Sequence, residues 1–347
     1  MSCCDENTAI VPDTDVSRRS MLKGAALISS LIPVVGAKRA QAAEGKKVKL
    51  AFCSQLLCVT PYEIARASGS FKNHGLDVEL VYTRGGSAAM NALIGGAVDY
   101  AATALDIAIQ AYAKGAAIRR FAVTGRLPPF ALVTAPKMAD KIKSVKDLEG
   151  KTVGISALGN ADHALLLYLL KEAHADVSKV QFAAMGVNLL EALRQGQVDA
   201  GLVQEPALTL LQKAHARVLV NAMDSDDAKK YLGGSYEFMG VSVRAKEIEQ
   251  RKPEMVALAK GLADGLAVLR KMTASQITSA LPPALTAGLD TEQLGQILVR
   301  YRDSLYPQSV KIDLDASKRV ERTLLVGGLL KKKIDITGLF DTSVVPS

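Results

Sequence analysis

The stretch Gly86–Asp99, GSAAMNALIGGAVD, recurs at a fixed offset as Gly186–Asp199, GVNLLEALRQGQVD. The first Gly, the Ala-Leu pair and the closing Gly-x-Val-Asp are identical in the two copies. Each copy has the apolar spacing of a short helix, then a Gly typical of a helix end, then a run that favours a strand. An internal repeat of this kind indicates two similar halves, and chance similarity between βα turns is the alternative.

Short apolar strands alternate with amphipathic helices on both sides of each copy. This alternation predicts an α/β protein built from βα units with largely parallel sheets. The predicted strands cover residues 48–53, 76–82, 98–103, 118–123, 152–156, 180–184, 198–203 and 218–221. The predicted helices cover residues 61–67, 87–94, 106–114, 162–173, 188–195 and 206–214.

Two halves require two crossings of the chain between them. The extended segments 127–134 and 236–243 follow the last strand of each half, and we predict that they are paired hinge strands. Helices near 253–272, 291–304 and 316–327 are predicted to pack at least partly on the first lobe. We therefore expect lobe 1 to begin with residues 43–128, lobe 2 to hold residues 129–239, and residues 240–347 to return to lobe 1 and add the C-terminal helices.

Residues 1–42 have the features of an export signal. The segment SRRSMLK at 17–23 precedes an apolar stretch, Gly24–Ala37, and the small residues Ala40-Gln41-Ala42. The paired arginines resemble a twin-arginine signal, so we expect the Tat translocase to export the chain to a bacterial periplasm, with cleavage near Ala42. A membrane anchor is the alternative, but the apolar stretch would rise only about 21 Å as a helix against roughly 30 Å of hydrocarbon.

The composition excludes several classes of protein. With 49% hydrophobic and 22% charged residues among 347, the chain is neither disordered, collagen-like nor a disulfide-stapled miniprotein. The net charge is +8, from 43 basic and 35 acidic residues, and aromatic residues make up only 5%. Nucleic-acid binding needs clustered basic residues with stacking aromatic side chains, so we predict no nucleic-acid partner.

The cysteines and histidines show no pattern of metal ligation. After cleavage near Ala42 the chain would keep Cys53 and Cys58, which either form a disulfide in an oxidising compartment or remain thiols packed as small apolar residues. We predict no metal and no cofactor, because the four histidines have no metal-ligand spacing to the cysteines or to one another: His74, His163, His174 and His215.

Several short motifs together resemble a known family. They are PYEIARASGSFKNHGLDVE at 61–79, the two repeat copies, DLEGKTVG at 147–154 and VDAGLVQEP at 198–206. Their order and spacing are similar to those of solute-binding proteins of ABC importers for nitrate, sulfonate and taurine, a family that also includes thiamine-pyrimidine synthases. The resemblance implies a bilobal periplasmic-binding-protein fold of type II. It also implies a small-molecule solute held between the lobes and a membrane permease as partner.

Ligands of open α/β sheets bind beyond the carboxyl ends of the strands, where the next helices begin. Helix starts near Thr60, Ser87, Asn160 and Asn188 would bring unpaired N–H groups from both lobes to one cleft, which favours an organic anion or a zwitterion. The absence of Trp and the apolar residues of these loops favour an organic solute over an inorganic ion. The candidate ligand-binding residues are Gln55, Leu56, Thr60, Gly86, Ser87, Leu158, Gly159, Asn160, Asn188 and Glu205.

Acidic and basic residues near the predicted cleft bear on the choice of solute. Asp106 and Glu205 either hold an amine or hydroxyl of a zwitterion, or simply favour the starts of their own helices. For Asp106 we favour the second interpretation. Arg84 and Arg126 lie near strand ends and are expected to be solvated.

These features favour a non-catalytic, monomeric solute-binding protein of an ABC importer. One alternative is an enzyme on the same scaffold, similar to a desulfinase, with Cys53 as the nucleophile. Another is a periplasmic solute sensor whose closed form binds a receptor. Nothing in the sequence separates transport from sensing.

Overall fold

The computed structural model describes residues 45–345. The predicted export signal lies outside these residues. Ten strands are described: β1 (Lys46–Cys53), β2 (Leu76–Thr83), β3 (Tyr100–Ala104), β4 (Ile118–Val123), β5 (Ala131–Thr134), β6 (Thr152–Ile155), β7 (Gln181–Ala184), β8 (Ala200–Val203), β9 (Val218–Asn221) and β10 (Met239–Arg244).

Thirteen α-helices are described in the same range. They are α1 (Leu56–Ala67), α2 (Ser70–Asn73), α3 (Gly86–Ile94), α4 (Leu105–Ala113), α5 (Ala161–Glu172), α6 (Leu189–Gln195), α7 (Ala207–Lys213), α8 (Ser225–Leu232), α9 (Ile248–Lys271), α10 (Ala274–Ala280), α11 (Pro283–Thr286), α12 (Thr291–Leu305) and α13 (Leu314–Val326). No helix within residues 45–345 is both long enough and apolar enough to span a bilayer.

The strands form two five-stranded sheets of the same design. The first has the order β2-β1-β3-β10-β4 and the second has the order β7-β6-β8-β5-β9. In the first sheet β1 is parallel to β2 and β3, and β10 runs antiparallel between β3 and β4. In the second, β6 is parallel to β7 and β8, and β5 runs antiparallel between β8 and β9. Each sheet therefore receives one antiparallel strand next to a crossing, and the predicted α/β fold with two lobes is confirmed.

The Gly-x-Val-Asp repeat performs the same structural task in both lobes. Gly96 and Gly196 have positive φ angles of 82° and 66°, which a residue without a Cβ adopts most easily. The carboxylate of Asp99 accepts a hydrogen bond from the backbone N–H of Lys49 in β1, at 2.8 Å. In the second lobe Asp199 accepts one from Thr152 in β6, at 2.9 Å. The repeat therefore fixes β3 against β1 in the first sheet and β8 against β6 in the second.

The chain crosses between the sheets twice. It leaves the first sheet after β4 and enters the second at β5, and it returns between β9 and β10. The long helix α9 then packs against α1, where a Cβ on Gly265 would lie only 2.8 Å from the Cα atom of Ala65. α13 contacts both α4 and α5, so the C-terminal helices touch both lobes. Together these contacts place the carboxyl ends of β1, β3 and β6 around one interlobe cleft.

Candidate functional site

A pocket lies between the two sheets, at the carboxyl ends of β1, β3 and β6. About 360 Å³ of space lies among its lining residues, part of it open to solvent. Side chains from both lobes and both crossings form its wall: Cys53, Gln55, Cys58, Gly85, Gly86, Thr103, Ala104, Ile107, Phe130, Ser156, Asn160, Ala161, Asp162, Phe238 and Met239. We call this space the central pocket.

Four helices begin at the central pocket without a side-chain cap. The N-cap residues of α1, α3, α4 and α5 are Gln55, Gly85, Ala104 and Asn160, and none uses its side chain to accept from its own helix. All four line the pocket. Elsewhere in the described chain Asp or Thr side chains cap α8, α10, α12 and α13. The remaining helices, α2, α6, α7, α9 and α11, also begin without a side-chain cap, so what distinguishes the four is that they meet at one pocket. Their N–H groups and partial positive charge favour an anion there, although at α4 and α5 part of this effect already acts on the carboxylates of Asp106 and Asp162.

Two side-chain hydrogen bonds join the lobes across the pocket. Ser87 Oγ, from the first lobe, donates to Asn160 Oδ1 of the second at 3.1 Å. On another side of the pocket, Gln204 Nε2 of the second lobe donates to Gln55 Oε1 of the first. The structure therefore represents the lobes in contact, and each bridge uses a residue at or next to an uncapped helix start.

The bridge at Asn160 continues into a polar network of the second lobe. Asn160 Nδ2 donates to Ser156 Oγ at 3.1 Å, and Ser156 Oγ donates to Asp162 Oδ1 at 2.7 Å. Burial raises the pKa of Asp162, while hydrogen bonds from the amide N–H and hydroxyl of Ser156 oppose that shift. The network holds the side chain of Asn160 toward the first lobe.

A second, more open groove adjoins the central pocket and shares four lining residues with it, Gln55, Phe130, Ser156 and Asp162. It spans about 950 Å³ of space that is partly open to solvent, and it is lined mainly by apolar residues of the second lobe, with Leu285 of α11 and Leu289 from the turn after it. This groove gives an organic solute an apolar wall next to the polar helix starts.

No Lys or Arg of residues 45–345 lines either cavity, whereas Asp162 and Glu205 do. Arg84 and Arg126 are exposed, as predicted. Within the same range no group of three or more His, Cys, Asp or Glu residues is arranged to hold a metal ion. A bound anion would therefore be neutralised by helix N-termini and polar side chains.

The structure brings three of the predicted site residues to the central pocket: Gln55, Gly86 and Asn160. Leu56 and Glu205 line the adjoining groove. Glu205 accepts hydrogen bonds from the amide N–H and the hydroxyl of Thr209, both at 3.0 Å, so it also stabilises the start of α7.

The predicted helix start near Thr60 is wrong, because α1 begins at Leu56. Thr60 is fully buried, and its hydroxyl donates to the carbonyl of Leu56 at 2.8 Å. Pro61 lies inside the helix, where it has no N–H to offer the carbonyl of Leu57. The hydroxyl of Tyr306 donates to that carbonyl instead, at 2.8 Å. Thr60 therefore lies in the core and does not line the cleft.

Four other predicted residues lie around the central pocket and do not line it. The predicted helix start near Ser87 is observed, with Gly85 as the N-cap, Ser87 as the second residue of α3, and its side chain bridging the lobes. Ser87, Leu158 and Gly159 line an outer groove, with the side chain of Leu158 66% exposed. Asn188 is the N-cap of α6 as predicted, but it is exposed and lines neither cavity.

Sequence reasoning missed several lining residues. Ser156 and Asp162 follow β6, so their positions after a predicted strand would have identified them by the rule that selected Gln55. Phe130 and Phe238 belong to the two crossings, and their rings meet edge to face at 5.8 Å between centroids. No local pattern marks a crossing residue as facing the cleft, because that depends on how the two sheets are joined.

Two lobes of this design around an interlobe pocket define a bilobal binding-protein fold, and solved structures have the same fold. A protein from Bordetella bronchiseptica RB50 is 23% identical, with a TM-score of 0.77 over 87% of this chain and 96% of its own. The alkanesulfonate-binding protein SsuA from Xanthomonas axonopodis pv. citri bound to MOPS is 18% identical, with a TM-score of 0.69 over 86% and 99%. The desulfurization enzyme DSZB is 17% identical, with a TM-score of 0.58 over 86% and 97%.

The chain belongs to the NMT1/THI5-like family, whose family model matches residues 58–271. The resemblance predicted from the sequence motifs is confirmed by this match. No curated protein matches the chain.

Proposed function

We propose that the protein is the solute-binding component of an ABC importer. It holds a small organic anion or zwitterion, of sulfonate, taurine or carboxylate type, between its lobes and delivers it to a membrane permease. The observation that carries this proposal is the convergence of four uncapped helix N-termini on one interlobe pocket. The fold shared with an alkanesulfonate-binding protein supports it.

Closing of the lobes provides the mechanism of delivery. A solute that contacts Gln55 and Gly86 on one lobe and Ser156 and Asn160 on the other binds the closed form more tightly than the open form. The closed form then presents one composite surface to the permease. In this proposal the protein acts as a monomer in the periplasm, where the twin-arginine signal would direct it.

An enzyme with a Cys53 nucleophile is the second candidate, because the thiol of Cys53 lines the central pocket and DSZB has the same fold. The neighbouring thiol of Cys58 is the main cause that lowers the pKa of Cys53. A cysteine nucleophile also needs a general base, and no histidine of residues 45–345 lines the central pocket. The arrangement therefore supports binding better than catalysis.

A solute at a hundred times its Kd is expected to stabilise the protein by about 2.7 kcal/mol and to raise its Tm by several degrees. The measurement is thermal unfolding of protein that has been unfolded and refolded to remove bound solute, against sulfonates, taurine, carboxylates and nitrate. A stabilising compound recovered unchanged supports the binding protein. A compound recovered chemically altered supports the enzyme, and a panel without any stabilising compound contradicts the proposed solute class.

Asn160→Asp is expected to weaken binding of an anionic solute by about tenfold or more, because like charges across a desolvated contact cost several kcal/mol. Asp is also a good N-cap, so α5 should remain folded. The matched control is Asn188→Asp, which places the same charge at the exposed N-cap of α6 and should leave the affinity unchanged. Isothermal titration with the best compound of the panel measures the affinity of the wild type and of both variants. Equal affinities of the wild type and Asn160→Asp would show that the anionic group of the solute does not lie at the start of α5.

A further inference from the structure

Two cysteines lie side by side in the wall of the central pocket. Cys53 is the last residue of β1, and Cys58 is the third residue of α1. Both are reduced, both line the pocket, and they are only 7% and 4% exposed. The turn that joins β1 to α1 therefore brings two thiols together at the position where a solute would bind.

The two thiols have different surroundings. The proximity of the two thiols lowers the pKa of Cys53 and raises that of Cys58. Backbone N–H groups of Gln55 and of Cys53 itself also lower the pKa of Cys53 and so favour its thiolate. In a dithiol of this kind one sulfur ionises first and attacks, while its neighbour resolves the product.

Gln204 of the opposite lobe connects this pair to closing of the lobes. Its side chain donates to Gln55 Oε1, between the two cysteines in the chain, and lies near enough to Cys58 to lower the pKa of that thiol. The same glutamine thus covers the thiols and joins the lobes. When the lobes separate, Gln204 must leave Cys58, and the thiols become accessible from the open cleft.

We propose that Cys53 and Cys58 are a reversible redox pair that exchanges with a disulfide-bearing oxidant when the lobes are open. The Cys53 thiolate attacks one sulfur of the oxidant, breaks its S–S bond and releases the first thiol. Cys58 then loses its proton and attacks the sulfur of Cys53, which releases the second thiol and forms the Cys53–Cys58 bond. Two thiols of the protein are oxidised, one external disulfide is reduced, and both protons leave on the released thiols.

Oxidation and solute binding oppose each other in this arrangement. The disulfide would remove the Cys58 thiol that Gln204 contacts in the closed form, and a bound solute would keep the oxidant out of the pocket. This coupling rests on the proposed function, whereas the redox chemistry of the pair does not.

Peptide mass spectrometry tests the pair directly on the full chain. Trypsin releases Leu50–Arg66, which contains Cys53 and Cys58 and no other cysteine, so Cys3 and Cys4 do not interfere. Native protein is treated with oxidised glutathione and then with an alkylating reagent. This peptide is then expected to carry no alkyl group and to weigh two hydrogen atoms less than the reduced peptide. Dithiothreitol should restore the doubly alkylated form. A doubly alkylated peptide after oxidation, or a disulfide formed only in denaturant, would overturn the proposal.

The variants Cys58→Ser and Gln204→Ala separate the steps. In Cys58→Ser the reaction is expected to stop at a glutathione adduct on Cys53, and an unreacted Cys53 would contradict its role as the attacking thiol.

Gln204→Ala is expected to speed disulfide formation several-fold, and Gln197→Ala, at an exposed residue of the same lobe, serves as the control. Equal rates of disulfide formation in the wild type and in Gln204→Ala would overturn the proposal that the lobes control access to the thiols. A compound that stabilises the protein should slow the oxidation, and if no compound binds, the peptide mass still decides the redox proposal.

Discussion

Arg120→Met is expected to lower the free energy of unfolding by about 3–5 kcal/mol, because it leaves a buried carboxylate without its counter-charge. Arg120 in β4 and Glu237 are 0% and 1% exposed, and Arg120 Nε donates to Glu237 Oε1 at 2.9 Å. The guanidinium also donates to the backbone carbonyls of Thr103 and Phe238, at 3.0 and 2.8 Å. Urea unfolding of the wild type and the variant measures the difference.

The position of Arg120 explains why the effect should reach the cleft. Its hydrogen bonds hold the segment Glu237–Gly240, where the chain returns to the first sheet, and Phe238 and Met239 of that segment line the central pocket. Loss of the guanidinium would therefore loosen one of the two crossings as well as the core.

Arg119→Met is the matched control, because Arg119 is the preceding residue of β4 and its side chain bonds only the carbonyl of Ile118 within the described chain. Its effect should stay within about 0.5 kcal/mol. The double variant Arg120→Met/Glu237→Gln should recover part of the stability lost in Arg120→Met, since it no longer buries an unpaired charge. A loss below about 1 kcal/mol in Arg120→Met would show that Glu237 is not held as a charged partner.

The fold was predictable where local chemistry decides it. Gly-x-Val-Asp combines a left-handed Gly with an Asp that accepts from the neighbouring strand, and both interactions recur in the second lobe. The strands 118–123 and 218–221 were predicted with their exact observed bounds. Gln55, Gly86 and Asn160 line the central pocket because a loop after a parallel strand ends at the cleft in any sheet of this type, whereas their contact with a solute stays a prediction.

The rest depends on contacts between distant parts of the chain. Pro61 suggested a helix start, yet the helix continues through it because Tyr306 satisfies the carbonyl that Pro61 leaves free. The roles of Arg120 and of Phe238 follow from the return crossing, which brings residues 237–240 against β3 and β4. A single sequence gives the polarity of such residues but not their distant partners.

Asp106 is the acidic residue whose surroundings differ most from the expectation. As predicted, it lies in the first turn of α4, but it is 2% exposed and neither carboxylate oxygen has a hydrogen-bond partner of normal geometry. Burial raises its pKa to about 7, and the nearby carboxylate of Asp162 adds to the shift. The first-turn N–H groups of Asp106 and Ile107 and the charge of Arg120 oppose it.

Asp106→Asn is expected to raise the free energy of unfolding at pH 8 by ~2–4 kcal/mol and to change it little at pH 4. The unfolded carboxyl ionises near its ordinary pKa of 3.8, whereas the folded one keeps its proton up to about 7. Between these values unfolding releases a proton, so this group makes the protein less stable as the pH rises, and the deficit is complete above pH 7. An amide has the shape of the protonated carboxyl and removes that deficit.

Urea unfolding from pH 4 to pH 8 measures the difference between the two proteins. Other buried acids such as Asp162, Glu205 and Glu237 titrate in both, so their contributions cancel to first order. Asp303→Asn serves as control, because Asp303 is 83% exposed and should give parallel curves. If the free energies of unfolding of the wild type and Asp106→Asn run parallel from pH 4 to pH 8, the carboxylate is ionised in the folded protein and neighbouring groups offset the cost of burying it. Curves that separate above pH 5 would show that Asp106 stays protonated beneath the pocket, where a second negative charge would oppose a bound anion.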